Sequence, residues 1–558
     1  MTSLKVKDDS ESTTVTPSPA TEFTEKADTE VAIDNMEKTI KFDMDPEGLE
    51  LKYTPRQRII IFVGLMLAIF LASLDQTIVA TALPAISSEF NALNQVSWVA
   101  TSYLLTFTSF QPLYGKFSDI FGRKATILFA LVTFLGGSIM CGVSQNMTML
   151  IIFRAVSGIG GGGIICLVVI IISDIFPLHK RGKYLGVIGA VFALSGVLGP
   201  LLGGIFSDHV SWRWAFYINM PIGAITLFVV IFMLKMPVPE GSFREKLYKI
   251  DYWGIFTLLG SVICILLATN WGGNDYPWSS PVVISVYCVG FILLIAFVLV
   301  ELKTSKEPLI APHLFKIRNV LVSSIGFFMV GASVFGAQYY LPIYFQVVKG
   351  YTATGAGLQL LPFMLGVTST SILSGAVSAS RGWYRVFAVP GAVILTVGLG
   401  LSSTLNENTS RALLIIYLVL IGVGFGCEIQ TLLLAAQASV EVKDIASTTS
   451  LVTFLRTIGG VFGVAIQGAV LTNFLGENIK KVLPSTSSET AALSVTAIQQ
   501  LDPEIRKGVI GAYVNALNKS FLSVIPFGIL AVIVLLFLRK IPAIRKKQSD
   551  NVIAASGH

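Results

Sequence analysis

Apolar stretches long enough to cross a bilayer recur along this chain. A helix rising about 1.5 Å per residue needs about 20 apolar residues to cross roughly 30 Å of hydrocarbon. Such stretches lie near 59–82, 96–114, 125–143, 148–172, 184–206 and 215–235, then at 252–270 and 281–300. Six more follow at 320–345, 355–378, 384–404, 412–436, 446–472 and 520–538, fourteen in all. Hydrophobic residues make up 53% of the 558 and charged residues 13%, against roughly 25% charged in ordinary soluble chains. A mean hydropathy of +0.73 rules out a soluble globular protein, a disordered chain and a coiled coil.

Charge divides the chain in two. Residues 1–50 hold 13 acids and 5 lysines, rich also in Ser, Thr and Pro, and predict a disordered tail. The rest carries 35 Lys/Arg against 20 Asp/Glu, spread over short loops, where a nucleic-acid partner needs a clustered basic face. An even span count puts both ends on one side. With that side cytoplasmic, inner loops and flanks carry 25 Lys/Arg and outer loops 8, five of these in one long loop, 473–519. This is the bias of the positive-inside rule. Sequons at Asn146 and Asn408 then fall outside as possible glycosylation sites.

Catalytic and cofactor chemistry find little support. The five cysteines form no CxxC pair, the four histidines have no metal-ligand spacing, and no phosphate-binding loop is present. No metal, no cofactor and no enzyme activity are expected. Gly158, Gly160 and Gly163 match the dinucleotide fingerprint, but they lie in an apolar span with no preceding strand, so helix packing is the better account.

A repeat runs through the chain. Gly115, Ser118 and Gly122 recur as Gly375, Ser378 and Gly382 at an offset of 260. Gly158, Gly160 and Gly162 recur as Gly422, Gly424 and Gly426 at 264, and Gly196, Gly199 and Gly204 as Gly460, Gly463 and Gly468. Two parallel six-span halves follow, with 252–300 inserted between them. The expected fold is an all-α polytopic membrane protein of 14 transmembrane helices: two six-helix bundles in pseudo-twofold arrangement plus two extra central helices. The expected divisions are a tail at 1–54, a first bundle at 55–237, a linker with two helices at 238–318, a second bundle at 319–540, and a cytoplasmic tail at 541–558.

Four motifs carry further information. The run Gly115 to Lys124 joins spans two and three on the inner side, where Gly115 and Gly122 permit a turn and Asp119, Arg123 and Lys124 form a gate-like clamp. In the second half Ala379 replaces the acid, which predicts a weak or absent clamp there. Gly196, Gly199, Pro200, Gly203 and Gly204 lie in span five, where the proline removes a backbone donor and the glycines open a groove. Leu74 to Pro84 and Trp212 to Pro221 complete the set. The first motif resembles the signature loop of the major facilitator superfamily, and the second the antiporter motif of its exporters. With fourteen spans, residues 55–540 resemble the fungal and bacterial drug:proton antiporters. That resemblance implies proton-driven efflux of amphipathic or cationic compounds, and also admits vacuolar basic amino-acid carriers.

Ionisable residues inside a span cost about 2.5–3.5 kcal/mol on insertion scales and usually have a task. Asp75, Arg154, Glu428 and Arg456 are of this kind. Helical rise places Asp75 and Arg154 at one depth in the outer half, and Glu428 and Arg456 further in. One acid and one arginine per half would serve proton coupling, with Asp75 or Glu428 as carrier; a permanent ion pair that only fixes packing is the plain alternative. Gln338, Tyr339, Tyr340, Tyr344 and Gln346 offer polar and aromatic contacts to a cationic substrate. The expected partners are a small-molecule substrate, protons and the lipid bilayer. The expected place is the plasma membrane, with the vacuolar membrane as alternative. A non-transporting membrane sensor is the rival from another class.

Overall fold

The computed structural model describes residues 53–540 except 91, 93–94, 274–275, 304–307 and 483–501. The acidic segment 1–52, the middle of the 473–519 loop and the tail 541–558 lie outside the described residues. Hydrocarbon offers the backbone no partners, so spanning segments satisfy themselves as helices. Thirteen helices among the described residues are long and apolar enough to cross a membrane. A further one, Val96–Phe121, has 26 residues and is interrupted by polar groups such as Gln111, Lys116 and Asp119. This is consistent with fourteen spans.

In the first half these are α1 (Pro55–Phe90), α2 (Val96–Phe121), α3 (Arg123–Gly142), α4 (Met147–Ile175), α5 (Leu178–His209) and α6 (Trp214–Phe232). The inserted pair is α7 (Tyr252–Trp271) and α8 (Pro281–Lys303). The second half holds α9 (Arg318–Ile343), α10 (Leu361–Arg381), α11 (Tyr384–Ser402), α12 (Arg411–Gln437), α13 (Ile445–Val482) and α14 (Pro503–Leu535). Phe129, Val132, Phe228, Phe232, Phe291 and Ile292 point outward, as side chains facing lipid do.

The repeat is visible in the helix crossings. A Cβ on Gly158 or Gly162 of α4 would strike the carbonyl of Tyr103 or Phe107 on α2. In the second half, Gly422 and Gly426 of α12 meet the carbonyls of Phe363 and Val367 on α10 in the same way. Gly160 abuts Ala130 and Phe134 of α3, while Gly424 abuts Gly391 and Leu395 of α11. Each equivalent pair of positions is 260–264 apart, so two bundles with one packing plan account for the spacing. The Gly158–Gly163 run is therefore helix packing.

The turn between α2 and α3 is tighter than the motif suggests. The chain stays helical through Phe121, and Gly122 alone reverses it with φ 92°. Gly382, its counterpart 260 residues on, has φ 69° between α10 and α11. A left-handed residue at this point favours glycine strongly. Gly115 lies within α2 and serves a close approach, since its Cβ would meet Ser450 Oγ and the Ala446 carbonyl of α13. The long loop expected over 473–519 is helical at both ends. α13 runs on to Val482, and α14 starts at Pro503, where proline at the first helical turn sacrifices no hydrogen bond.

The inserted helices pack on each other and against α2 and α13. Leu258, Val262, Leu266 and Phe297 join Leu113, Leu451 and Phe454 in one apolar cluster. The pair thus lies beside one seam between the halves.

Candidate functional site

Two polar centres stand out in the first bundle. The first is Asp75 on α1 and Arg154 on α4, which share a salt bridge of 2.6 Å at 0% and 2% exposure. Asn219 of α6 donates to the other carboxylate oxygen at 3.2 Å and to Ser138 Oγ of α3 at 3.2 Å. Arg154 Nε donates to the Val99 carbonyl of α2 at 3.2 Å. The guanidinium carbon lies 4.2 Å from the Tyr103 ring centroid and 5.7 Å from that of Phe216, within cation–π reach. Helices α1, α2, α3, α4 and α6 therefore meet around one charge pair. A buried pair needs such extra hydrogen bonds to offset its desolvation.

The antiporter-like motif packs directly behind this centre. A Cβ on Gly199 of α5 would strike Thr77 Oγ1, and one on Gly203 would strike Thr81 Oγ1 and the Ile78 carbonyl. Thr77 also donates to the Ser195 carbonyl at 3.0 Å. So α5 lies against the turn of α1 that follows Asp75. Gly196 instead abuts Met364 of α10, and nothing lies within 4 Å of a Cβ on Gly204. Helix α5 continues through Pro200.

The second centre sits at the basic end of the bundle, where Gly122 and Gly382 turn the chain. Arg123 Nε pairs with Asp174 of α4 at 2.8 Å, and Arg123 Nη1 pairs with Asp119 and with Ser118 Oγ, the latter at 2.8 Å. Lys124 Nζ donates to the Ile231 carbonyl at 2.6 Å. In the second half, Arg381 lies 5.0 Å from the Trp383 ring, and among the described residues no ion pair is recorded at 375–382.

Glu428 and Arg456 are not brought together as Asp75 and Arg154 are. Both Glu428 carboxylate oxygens are buried without a hydrogen-bond partner, as is Arg456 Nε, whose guanidinium lies 6.0 Å from the Phe327 ring. Glu428 stands beside Gly391 of α11, on the side of α12 turned into its own bundle. The aromatic group at the end of α9 and in the turn after it is held together only in part, the Tyr339 and Tyr340 rings lying 5.2 Å apart. Tyr340 donates to the Val464 carbonyl at 3.1 Å and Tyr344 to the Asn406 carbonyl at 2.8 Å, while Tyr339 is 61% exposed. Gln338 and Gln346 are half-buried. Asn146 caps α4, accepting from Met149 N at 2.8 Å, and Asn408 lies in the turn before α12; both are exposed on the face opposite the basic end.

Several partners escaped the sequence reading. Asn219 lies within the Trp212 to Pro221 motif, to which no role was given, and Asp174 lies two residues beyond the expected end of its span at 172. At the opposite face Glu89 binds Arg213 Nη1 at 2.8 Å and accepts from Trp212 Nε1 at 2.6 Å. Trp212's donation holds the Glu89 carboxyl below its ordinary range, with Arg213 adding to the effect.

The family model of the Major Facilitator Superfamily matches residues 65–248 and 252–464. The chain is 37% identical over 469 residues to the MFS-type efflux pump MFS1 of Arthroderma benhamiae, covering 83% of this chain and 87% of that one. It is 35% identical to the MFS-type transporter astH of Aspergillus oryzae, covering 94% and 93%. The solved structure of the human organic anion transporter MFSD10 (TETRAN) is similar in fold, with TM-score 0.56 at 15% identity over 86% of this chain and all of that one.

Proposed function

This chain belongs to the major facilitator superfamily, and from that premise we propose that it is a proton-coupled antiporter exporting small amphipathic or cationic compounds. Membrane transport of the efflux type is the coarser statement, which the relatives carry. One observation supports the finer one: Gly199 and Gly203 of the antiporter-like motif press on α1 just beyond the buried Asp75–Arg154 pair.

In this reading Asp75 exchanges partners. Ionised, it holds Arg154 and Asn219 and so ties α1 to α4 and α6. A proton arriving from the acidic side removes the charge, weakens the hold on Arg154 and frees α1 to shift. Helix α5 feels that shift through Thr77, Ile78 and Thr81. Its other side follows α10 of the second half, so the change reaches the seam between the halves. One proton falling through 100 mV supplies about 2.3 kcal/mol, and each pH unit about 1.4 kcal/mol. Glu428 is the second candidate carrier, with Arg456 as the in-span arginine of the same half. The reading places the basic end, with both termini, in the cytoplasm, and the protein in the plasma membrane.

Purified protein in liposomes under an imposed pH gradient tests this with dyes, azoles and basic amino acids. The wild type is expected to move one class, and a protonophore to abolish the accumulation. Asp75→Asn, which keeps the shape and loses the charge, is expected to reduce gradient-driven transport to the level seen without a gradient. Full pH-driven transport by Asp75→Asn would overturn the role of Asp75. Movement indifferent to pH in the wild type would overturn coupling altogether.

A further inference from the structure

The seam between the halves at the basic end contains a polar centre that neither the motifs nor the buried charges foretell. Gln437, the last residue of α12, is 2% exposed. Its Nε2 donates to Ser173 Oγ of α4 at 2.9 Å and to Thr449 Oγ1 of α13 at 2.8 Å. Its Oε1 accepts from Arg181 Nη1 of α5 at 3.3 Å. One amide thus joins three helices, two of them in the other half.

The surrounding groups permit only this arrangement. The Ser173 hydroxyl is already donated to the Val169 carbonyl at 2.8 Å, and the Thr449 hydroxyl to the Ile445 carbonyl at 2.7 Å. Both oxygens can only accept, and arginine can only donate. A primary amide supplies two donors and one acceptor on a single side chain; a carboxylate or an aliphatic group does not. Ser173 and Gln437 are also 264 residues apart, the offset of the repeat, so two equivalent positions meet across the pseudo-twofold axis.

Around this centre the seam is tight. Gly182 of α5 meets the Gly375 backbone of α10, and Gly115 of α2 meets Ser450 of α13. Gln430 donates to the Leu185 carbonyl at 2.9 Å, and Cys166 Sγ lies 3.2 Å from Ser450 Oγ. A passage opening at this end must separate these pairs.

We propose that Gln437 is the latch of the basic-end gate. Its amide holds Ser173 and Arg181 of the first half against α12 and α13 of the second, and opening breaks both cross-half bonds together. Gln437 is a positioning residue that touches no substrate. The latch rests on the transport reading only for its consequence, since the gate can be observed without any substrate.

The test uses the full chain in lipid discs with four of the five cysteines replaced by serine, leaving either Cys166 or Cys141. Cys166 lies at the seam, and Cys141 lies fully buried within the first bundle. Loss of the two cross-half hydrogen bonds is expected to shift the gate about tenfold, which is about 1.4 kcal/mol. Gln437→Leu is therefore expected to raise the alkylation rate of Cys166 by a permeant maleimide about tenfold and to leave Cys141 unchanged. Ser173→Ala, which removes one arm and hardly alters packing, is expected to raise it about threefold. Ser450→Cys with copper-phenanthroline is expected to form a disulfide with Cys166 and to stop transport. Cys166 rates within twofold of the parent in both Gln437→Leu and Ser173→Ala would overturn the latch. So would equal increases at Cys166 and Cys141, which report general loosening. Should the wild type move no probe while Cys166 responds as expected, the transport reading fails and the latch stands.

Discussion

Arg154→Ala is expected to destabilise the protein by about 3–5 kcal/mol, because it strands a buried carboxylate. Asp75 is fully buried, and its remaining donor, Asn219, is neutral. Asp75→Ala strands the arginine and is expected to cost a similar amount. The double variant Asp75→Asn with Arg154→Met removes both charges at nearly constant volume. It is expected to recover most of the lost stability, since a buried ion pair is often replaceable by apolar groups without loss. Transport is expected to stay absent in all three. Thermal unfolding in one detergent, alongside liposome transport, checks this. A double variant as unstable as Arg154→Ala would show that the pair holds the bundle by more than its charges. A double variant that still transports against a gradient would leave the pair a purely structural element.

Adjacent glycines of one motif are expected to behave oppositely. Gly203→Ala places a methyl group against Thr81 Oγ1 and the Ile78 carbonyl, forcing α5 away from α1. Overpacking of this kind costs about 1–3 kcal/mol, and here it also separates the motif helix from the turn after Asp75. Gly204→Ala meets nothing within 4 Å. It is expected to fold and transport as the wild type does, or to gain slightly from the better helix propensity of alanine. Expression, thermal stability and transport of the two variants side by side decide this. Equal loss in both would mean that the motif acts through something other than close approach of α5 to α1.

The legible part of this molecule was the part written as repetition. Span positions follow from apolar run length, and the two-bundle plan follows from glycines spaced 260–264 residues apart. Both rest on interactions within one helix or between helices of one bundle. The Asp75–Arg154 contact was also within reach, because helical rise converts sequence position into depth. Depth does not give azimuth, however, and azimuth separates Asp75 from Glu428. The one faces Arg154 across its bundle, while the other faces Gly391. Asn219 and Gln437 were hidden for a related reason. A single uncharged amide in an apolar run has no periodicity, and its partners come from helices far away in the chain. The tyrosines at the end of α9 and just beyond it are a different case. Their clustering in sequence spreads around the helix, and two of the hydroxyls are committed to backbone carbonyls.

The inserted helices make a nearly twofold molecule unequal toward its surroundings. They cover the line where α2 meets α13, but among the described residues no such pair of helices covers the corresponding line between α5 and α10. There Leu194 and Leu201 on one helix and Leu365 and Leu373 on the other are exposed. Of the two seams, this is the one that acyl chains can reach. Lateral pressure in the bilayer therefore bears unequally on the two seams, as a hand acts on a hinged door from its free edge.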